Sequence, residues 1–255
     1  MSVVKVKEVS KSFVKPGGVA VSIMDDFSFS IEKGEVVTLF GPNGCGKSTL
    51  LSMLANISDP DEGNIDVSWD RDVKNSVGFV FQNYGDVLHP WASVLDNVSF
   101  PLKIQGYPDD EIKKQALKRL AHFGIEEHAN KYVYQLSGGQ KQLVSFCQAT
   151  VYKPHLLLCD EPFSAMDYSV SRRLWLQLRE FLAERDMATV FVSHDIDEAI
   201  FLGDRVLVLS PRPCQIIDEV EIPFGNERSL DLTASEDFFK IRARIIKSFE
   251  AGGGK

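Results

Sequence analysis

A short, largely apolar stretch, Val36-Val37-Thr38-Leu39-Phe40, leads straight into Gly41-Pro42-Asn43-Gly44-Cys45-Gly46-Lys47-Ser48-Thr49, and a helical run over residues 50–55 follows. Strand, glycine-rich turn and helix in that order constrain the fold more than any other feature of the chain. The pattern G-x-x-x-x-G-K-S in this context is a phosphate-binding loop. Its glycines let successive backbone N–H groups turn inward around phosphate oxygens, and the helix N-terminus adds a partial positive charge. Lys47 is placed to reach the β- and γ-phosphates of a nucleoside triphosphate, and the Ser48 hydroxyl to hold Mg²⁺. A glycine-rich helix cap with no ligand is the plainer alternative and explains neither Lys47 nor Ser48.

The remaining pattern is α/β. Residues 3–9 alternate as a strand, as do Phe27, Phe29 and Ile31, and Ile65, Val67 and Trp69 mark another. A strand is expected over residues 77–81, and helices from about residue 89 to 152. Ile112, Ala116, Leu120 and Phe123 recur at helical spacing behind an acidic start, Asp109-Asp110-Glu111, that suits a helix dipole. Strands are predicted over 155–159, 189–193, 205–209 and 215–220, with helices over 169–185 and 196–202 between them. The expected architecture is a nucleotide-binding core over residues 1–225, with a helical insertion at about 89–152. A C-terminal helical extension, 226–255, has Phe238, Phe239, Ile241, Ile245, Ile246 and Phe249 on one side and a disordered glycine-rich tail from Ala251 to Lys255.

Several strand ends carry chemistry. Leu156-Leu157-Leu158-Cys159 ends in Asp160 and Glu161. A strand-end Asp suits Mg²⁺, and the next Glu suits a general base for the attacking water. Gln82 and His194 follow two other strands, at the carboxyl ends where open α/β sheets place their ligands. Cys147 and Cys159 lie in apolar runs and read as core, whereas Cys45 sits inside the loop and is expected to be a reactive thiol protected by nucleotide.

With 28 basic and 36 acidic side chains the formal net charge is -8, which argues against nucleic acid as a partner. No apolar run approaches the roughly 20 residues that cross a bilayer, and the first ten residues lack a signal-peptide pattern. The chain is therefore expected in the cytosol, reaching a membrane only through a partner.

Together these residues resemble the ATP-binding subunits of ABC transporters over nearly the whole chain. Residues 41–49 match the Walker A motif, Gln82 the Q-loop glutamine, and Leu136-Ser137-Gly138-Gly139-Gln140 the signature motif. Asp160 and Glu161 match Walker B and the catalytic glutamate, Ser164-Ala165-Met166-Asp167 the D-loop, and His194 the switch histidine. The resemblance implies a P-loop NTPase core with a RecA-like mixed sheet, an N-terminal antiparallel β subdomain and a helical signature subdomain. It implies ATP and Mg²⁺ as cofactors, with Ser48, Gln82 and Asp160 around the metal, Lys47, Gln82, Glu161 and His194 catalytic, and Phe13 stacked on adenine. It also implies a head-to-tail pair of subunits in which Ser137, Gly138, Gly139 and Gln140 face the partner's nucleotide and Asp167 lies at the interface.

Two departures stand out. Leu143 and Gln148 replace arginines usual on the signature helix, and Cys214 replaces the glycine that usually follows Ser210-Pro211-Arg212-Pro213. That Ser-Pro-Arg-Pro segment and His89-Pro90-Trp91 resemble the nitrate/sulfonate/taurine importers. This implies a transmembrane permease, a second ATP-binding subunit (a copy or a paralogue) and an extracytoplasmic substrate-binding protein as partners, at the cytoplasmic face of the membrane. Leu88, Trp91 and Phe100 are expected to wall the groove that receives the permease. A single-cassette soluble ABC ATPase of cofactor assembly is the alternative reading.

Overall fold

The computed structural model describes residues 2–14, 16–69, 76–164, 166–183 and 186–253. In chain order its elements are β1 (Ser2–Val14), β2 (Ala20–Glu32), β3 (Val36–Phe40), α1 (Lys47–Leu54), β4 (Glu62–Val67) and β5 (Val77–Val80). There follow α2 (Val94–Ile104), α3 (Asp109–His122), α4 (Gly138–Thr150), β6 (Leu156–Asp160), α5 (Tyr168–Ala183) and β7 (Ala188–Ser193). The chain closes with α6 (Ile196–Leu202), β8 (Arg205–Leu209), β9 (Ile216–Glu221) and α7 (Glu236–Ala251).

Two sheets form. An antiparallel one has the order β2-β1-β4, and the central one β5-β6-β7-β3-β8-β9, parallel except for the edge strand β9. Every residue of β3 and β7 is buried, as expected of parallel strands covered on both faces. One apolar cluster joins the central sheet to α2, α3, α4 and α5 and contains Phe146, Trp175 and Phe181. A second packs α1 between the two sheets through Leu50, Leu51, Leu54 and Phe27. A third lies under α7.

The register of the parallel strands puts the chemistry on one edge. Phe40 pairs with Ser193, Asp160 with Val192, and Val80 with Cys159. Gly41, Glu161 and His194 therefore leave their strands side by side, with Gln82 two residues past the end of β5.

Some sequence expectations shift. Trp69 falls outside β4 and its ring stacks on His155 at 5.5 Å. On α7, Phe238 and Ile245, two turns apart, are buried, and Ile241 and Phe249 are partly buried. Phe239 and Ile246, one residue further round, are exposed, so the docked face is narrower than the apolar pattern suggests. Ala251 ends the helix and Gly252 and Gly253 continue it as a hydrogen-bonded turn, which corrects the expected disorder there; Gly254 and Lys255 lie outside the described residues. Ala165 of the Ser-Ala-Met-Asp run and Arg185, the expected end of the fifth helix, are also outside them.

Leu143 and Gln148, which replace the usual arginines, are both buried. Gln148 Nε2 donates to the Asn97 carbonyl at 3.2 Å, so an amide-to-backbone bond ties α4 to α2 where charge is absent. Among the described residues no helix is long and apolar enough to cross a membrane.

Candidate active site

The loop after β3 curls around its own lysine. Lys47 Nζ donates to the carbonyls of Gly41 at 2.8 Å and Pro42 at 3.0 Å, and only 5% of its side chain is exposed. Gly46, at φ 134°, turns the chain into α1. A Cβ on Gly41 would stand 2.7 Å from Leu209 Cβ on the neighbouring strand. No side chain larger than hydrogen fits at Gly41, because β8 runs directly beside the loop.

Glu161 is the hub of the strand-end edge. Its Oε1 lies 3.9 Å from Lys47 Nζ, and its Oε2 lies 3.0 Å from His194 Nδ1 and accepts from Gln82 Nε2 at 3.4 Å. Gln82 Nε2 also reaches Ser164 Oγ at 3.4 Å. The Glu161 backbone has φ 43°, a left-handed conformation that a non-glycine residue adopts at a cost of about 1–3 kcal/mol. Its N–H donates to the Val192 carbonyl at 3.1 Å, so β7 holds the strained residue in place. The structure thus brings together four residues that lie up to 147 positions apart in the sequence, Lys47 and His194 being the extremes (194 − 47).

Asp160 and Ser48 meet beside this hub. Burial pushes the Asp160 carboxyl above its ordinary range, the Ser48 hydroxyl hydrogen bond opposes that rise, and Glu161 adds to it. A half-buried carboxylate bonded to a hydroxyl, with the Gln82 amide against the neighbouring Glu161, is a hard-oxygen donor set that suits Mg²⁺, which is commonly held by one or two carboxylates together with waters and phosphate oxygens. The residues present fit the metal.

Ser137 caps α4 in a reciprocal box: its Oγ accepts from Gln140 N–H at 3.4 Å and its own N–H donates to Gln140 Oε1 at 3.0 Å. Gln140 Nε2 lies 2.8 Å from His128 Nε2. Gly138 and Gly139 open the helix, and a Cβ on Gly139 would press to 3.0 Å from Val170 on α5. Among the described residues no hydrogen bond or ion pair joins 136–140 to 41–49, so these two parts of the expected nucleotide site do not meet within one chain. Phe13 is half exposed on β1, with Lys11 Nζ 5.8 Å from its ring centre, and Asp167 is exposed at the start of α5.

Cys45 is less open than the sequence suggests. Its side chain is 1% exposed and belongs to the core beneath the loop, where the Cys214 thiol donates to it. That hydrogen bond, with the Lys47 charge and backbone N–H groups, brings the Cys45 thiol down to about 7, while its partner Cys214 is raised. Burial shields Cys45 from a bulky thiol reagent, while the lowered thiol agrees with the expected thiolate character. Cys147 and Cys159 are buried core, and burial raises both.

Arg212 has a contact that the sequence did not disclose: its Nε donates to the Gly44 carbonyl at 2.5 Å, at the apex of the loop. Only the pairing of β8 with β3 brings Arg212 there, and that pairing leaves no local signal.

Behind the hub, Glu198 of α6 is buried and hydrogen-bonded to the Ser193 hydroxyl, and burial pushes its carboxyl up to about 8. The folded chain keeps a proton that the unfolded chain releases above its ordinary value of 4.5. The stability Glu198 confers is therefore complete below that value and is lost as pH rises toward 8, on the order of a few kcal/mol. Glu198→Gln cannot ionise, so thermal melts should show it more stable than the parent at pH 8 and close to it at pH 5. Equal destabilisation at both values would contradict this account.

A groove of ≈ 480 Å³ opens next to the Gln82 segment, lined by Phe79, His89, Phe100, Ile104 and Tyr152 among others. Trp91, 74% exposed, stacks on His89 at 5.3 Å, and His89 meets Phe100 edge-on at 5.0 Å. Leu88 is buried, which removes it from the expected apolar wall; exposed Ile104 takes its place.

Residues 24–164 match the family described as ABC transporter. The chain is 36% identical to the aliphatic sulfonates import ATP-binding protein SsuB of Bacillus cereus, over 98% of this chain and 97% of that one. It is 33% identical to the taurine import ATP-binding protein TauB of Pseudomonas aeruginosa, over 98% and 96%. The spermidine/putrescine import ATP-binding protein PotA of Marinobacter nauticus is 41% identical, but over 73% of this chain and 51% of its own length. Among solved structures, the dimeric ATP-binding cassette MJ0796 in a post-hydrolysis state bound to ADP and Pi superimposes with a TM-score of 0.74 at 30% identity, covering 86% of this chain and 98% of the other. CbiO1 of Clostridium perfringens, part of the transporter complex cbiONQ, gives 0.77 at 27% identity and 98% coverage of both.

Proposed function

From the premise that this chain belongs to the ABC transporter family of ATP-binding cassettes, and is an ATP-binding ATPase, we propose that it powers a membrane importer for an organic sulfonate or a similar small anion. The observation that carries this reading is its likeness, end to end, to the sulfonate and taurine import subunits, whereas the polyamine-type relative is matched over only about half its length.

The site residues divide the work as follows. The backbone N–H groups of residues 41–49 and Lys47 bind the triphosphate, and Phe13 offers its exposed ring to adenine. Ser48, Asp160 and Gln82 hold Mg²⁺, which when bound neutralises phosphate charge. Glu161 accepts the proton of the attacking water, and Gln82 and His194 orient its carboxylate through Oε2. Because the 136–140 turn does not meet the loop of its own chain, a second ATP-binding subunit supplies it. Ser137 and the N–H groups of Gly138 and Gly139 then close on the partner's nucleotide, with Gln140 bracing the turn and Asp167 at the contact.

Beyond that pair, a transmembrane permease docks in the groove beside Gln82, against Trp91, Phe100 and Ile104. An extracytoplasmic binding protein delivers the solute, and the chain sits peripherally at the cytoplasmic face. Reconstitution with its permease and binding protein in lipid vesicles tests the substrate class. ATP turnover is expected to rise when an alkanesulfonate or taurine is added. A rise with a polyamine and none with any sulfonate or small anion would overturn it.

A further inference from the structure

We propose that Cys45 and Cys214 form an oxidation site, a dithiol that peroxide converts to a disulfide bracing the underside of the phosphate loop. The parallel pairing of β8 with β3 sets this up. Val208 lies beside Phe40, so the chain leaving β8 runs alongside the loop leaving β3. Residues 211–214 then wrap beneath that loop. Arg212 Nε is bonded to the Gly44 carbonyl, and Cys214 N–H donates to the Ile23 carbonyl at 2.8 Å, with Cys214 bridged to Met24 of β2. Cys214 Cβ ends 3.7 Å from where a Cβ on Gly46 would stand, one residue from Cys45. Both cysteines are buried in the same apolar cluster, so the two thiols share one packed space beneath the loop.

The chemistry balances with hydrogen peroxide as oxidant. The Cys45 sulfur attacks one peroxide oxygen, the O–O bond breaks, and Cys45 sulfenic acid and one water result. The Cys214 sulfur then attacks the Cys45 sulfur; the S–O bond breaks, the S–S bond forms, and the thiol proton leaves with the hydroxyl as a second water. Two thiols are oxidised by two electrons, and one peroxide is reduced to two waters. Peroxide is close to water in size, so a brief opening of the loop admits it where a bulky alkylating reagent is excluded.

The bond would draw Cys45 toward Cys214 and carry the adjoining N–H groups of the loop out of register with the phosphates. Displacement of reacting groups by about 1 Å is enough to lose roughly a hundredfold in rate. The inference needs only that the chain is an ATPase and is independent of what an importer would carry.

The test uses the purified full chain exposed to hydrogen peroxide, followed by alkylation of free thiols, peptide mapping and ATP turnover before and after dithiothreitol. The expected result is a Cys45–Cys214 linked peptide with Cys147 and Cys159 still free, and a fall in turnover of at least about tenfold that the reductant reverses. Cys214→Ala is expected to keep its turnover under the same exposure. A linked peptide with undiminished turnover, loss of turnover with both thiols free, or equal loss in Cys214→Ala would each overturn the proposal. The mapping on the unaltered chain decides even if the variant does not fold.

Discussion

Replacing Glu161 by Gln is expected to lower ATP turnover by about a hundredfold or more, while ATP still binds and holds two copies together. The substitution keeps shape and hydrogen-bonding reach but removes the basic oxygen pair. Gln82 and His194, each within hydrogen-bond distance of Glu161 Oε2, would still position the side chain. The left-handed backbone at Glu161 and its bond to the Val192 carbonyl are properties of the main chain and survive the change. Turnover therefore falls without loss of folding. The check is steady-state hydrolysis beside equilibrium binding of a fluorescent ATP analogue and size-exclusion chromatography with ATP. Hydrolysis at the parental rate would remove Glu161 as the base.

Lys47→Ala is expected to have the second large effect, and on binding as well as rate. The ammonium is almost fully buried within the loop, so its removal takes the only side-chain cation out of residues 41–49 and frees the carbonyls of Gly41 and Pro42. Loss of a preorganised charge aimed at developing phosphate charge is worth about two to three orders of magnitude in turnover. Lys47→Arg should recover little, because a planar guanidinium does not fit a cradle built for a compact ammonium donating to two carbonyls. Nucleotide titration with both variants, with thermal melting to confirm folding, checks this; near-parental affinity in Lys47→Ala would contradict it.

Much of this site can be read from the chain itself. The phosphate loop is a contiguous run whose glycines, lysine and serine each have a physical reason, and its flanking strand and helix carry their own apolar periodicity. Strand ends at Asp160, Gln82 and His194 are equally local signals. Their convergence is different in kind. That Glu161 touches Lys47, Gln82 and His194 follows from the strand order β5-β6-β7-β3 and its register, which pairings distant in sequence decide.

The same holds for what sequence reasoning missed or misread. Arg212 reaches Gly44, and Cys214 joins Cys45 in the apolar cluster beneath the loop, only because β8 lies next to β3. On α7 the apolar residues span more of the helix than the core can cover. Periodicity alone did not separate Phe238 and Ile245 from exposed Phe239 and Ile246. At Leu88 hydrophobicity signalled burial in the helical layer, not a docking surface.

The most direct test of the central claim, that this ATPase works as the motor of a membrane importer, is affinity isolation of the chain from its native membranes in mild detergent, with every co-purifying protein identified. The expected result is a polytopic permease with ATP-binding subunits in a pair, and loss of that association when Trp91 is replaced by Glu. Recovery of soluble partners alone, with no membrane-spanning protein, would contradict it.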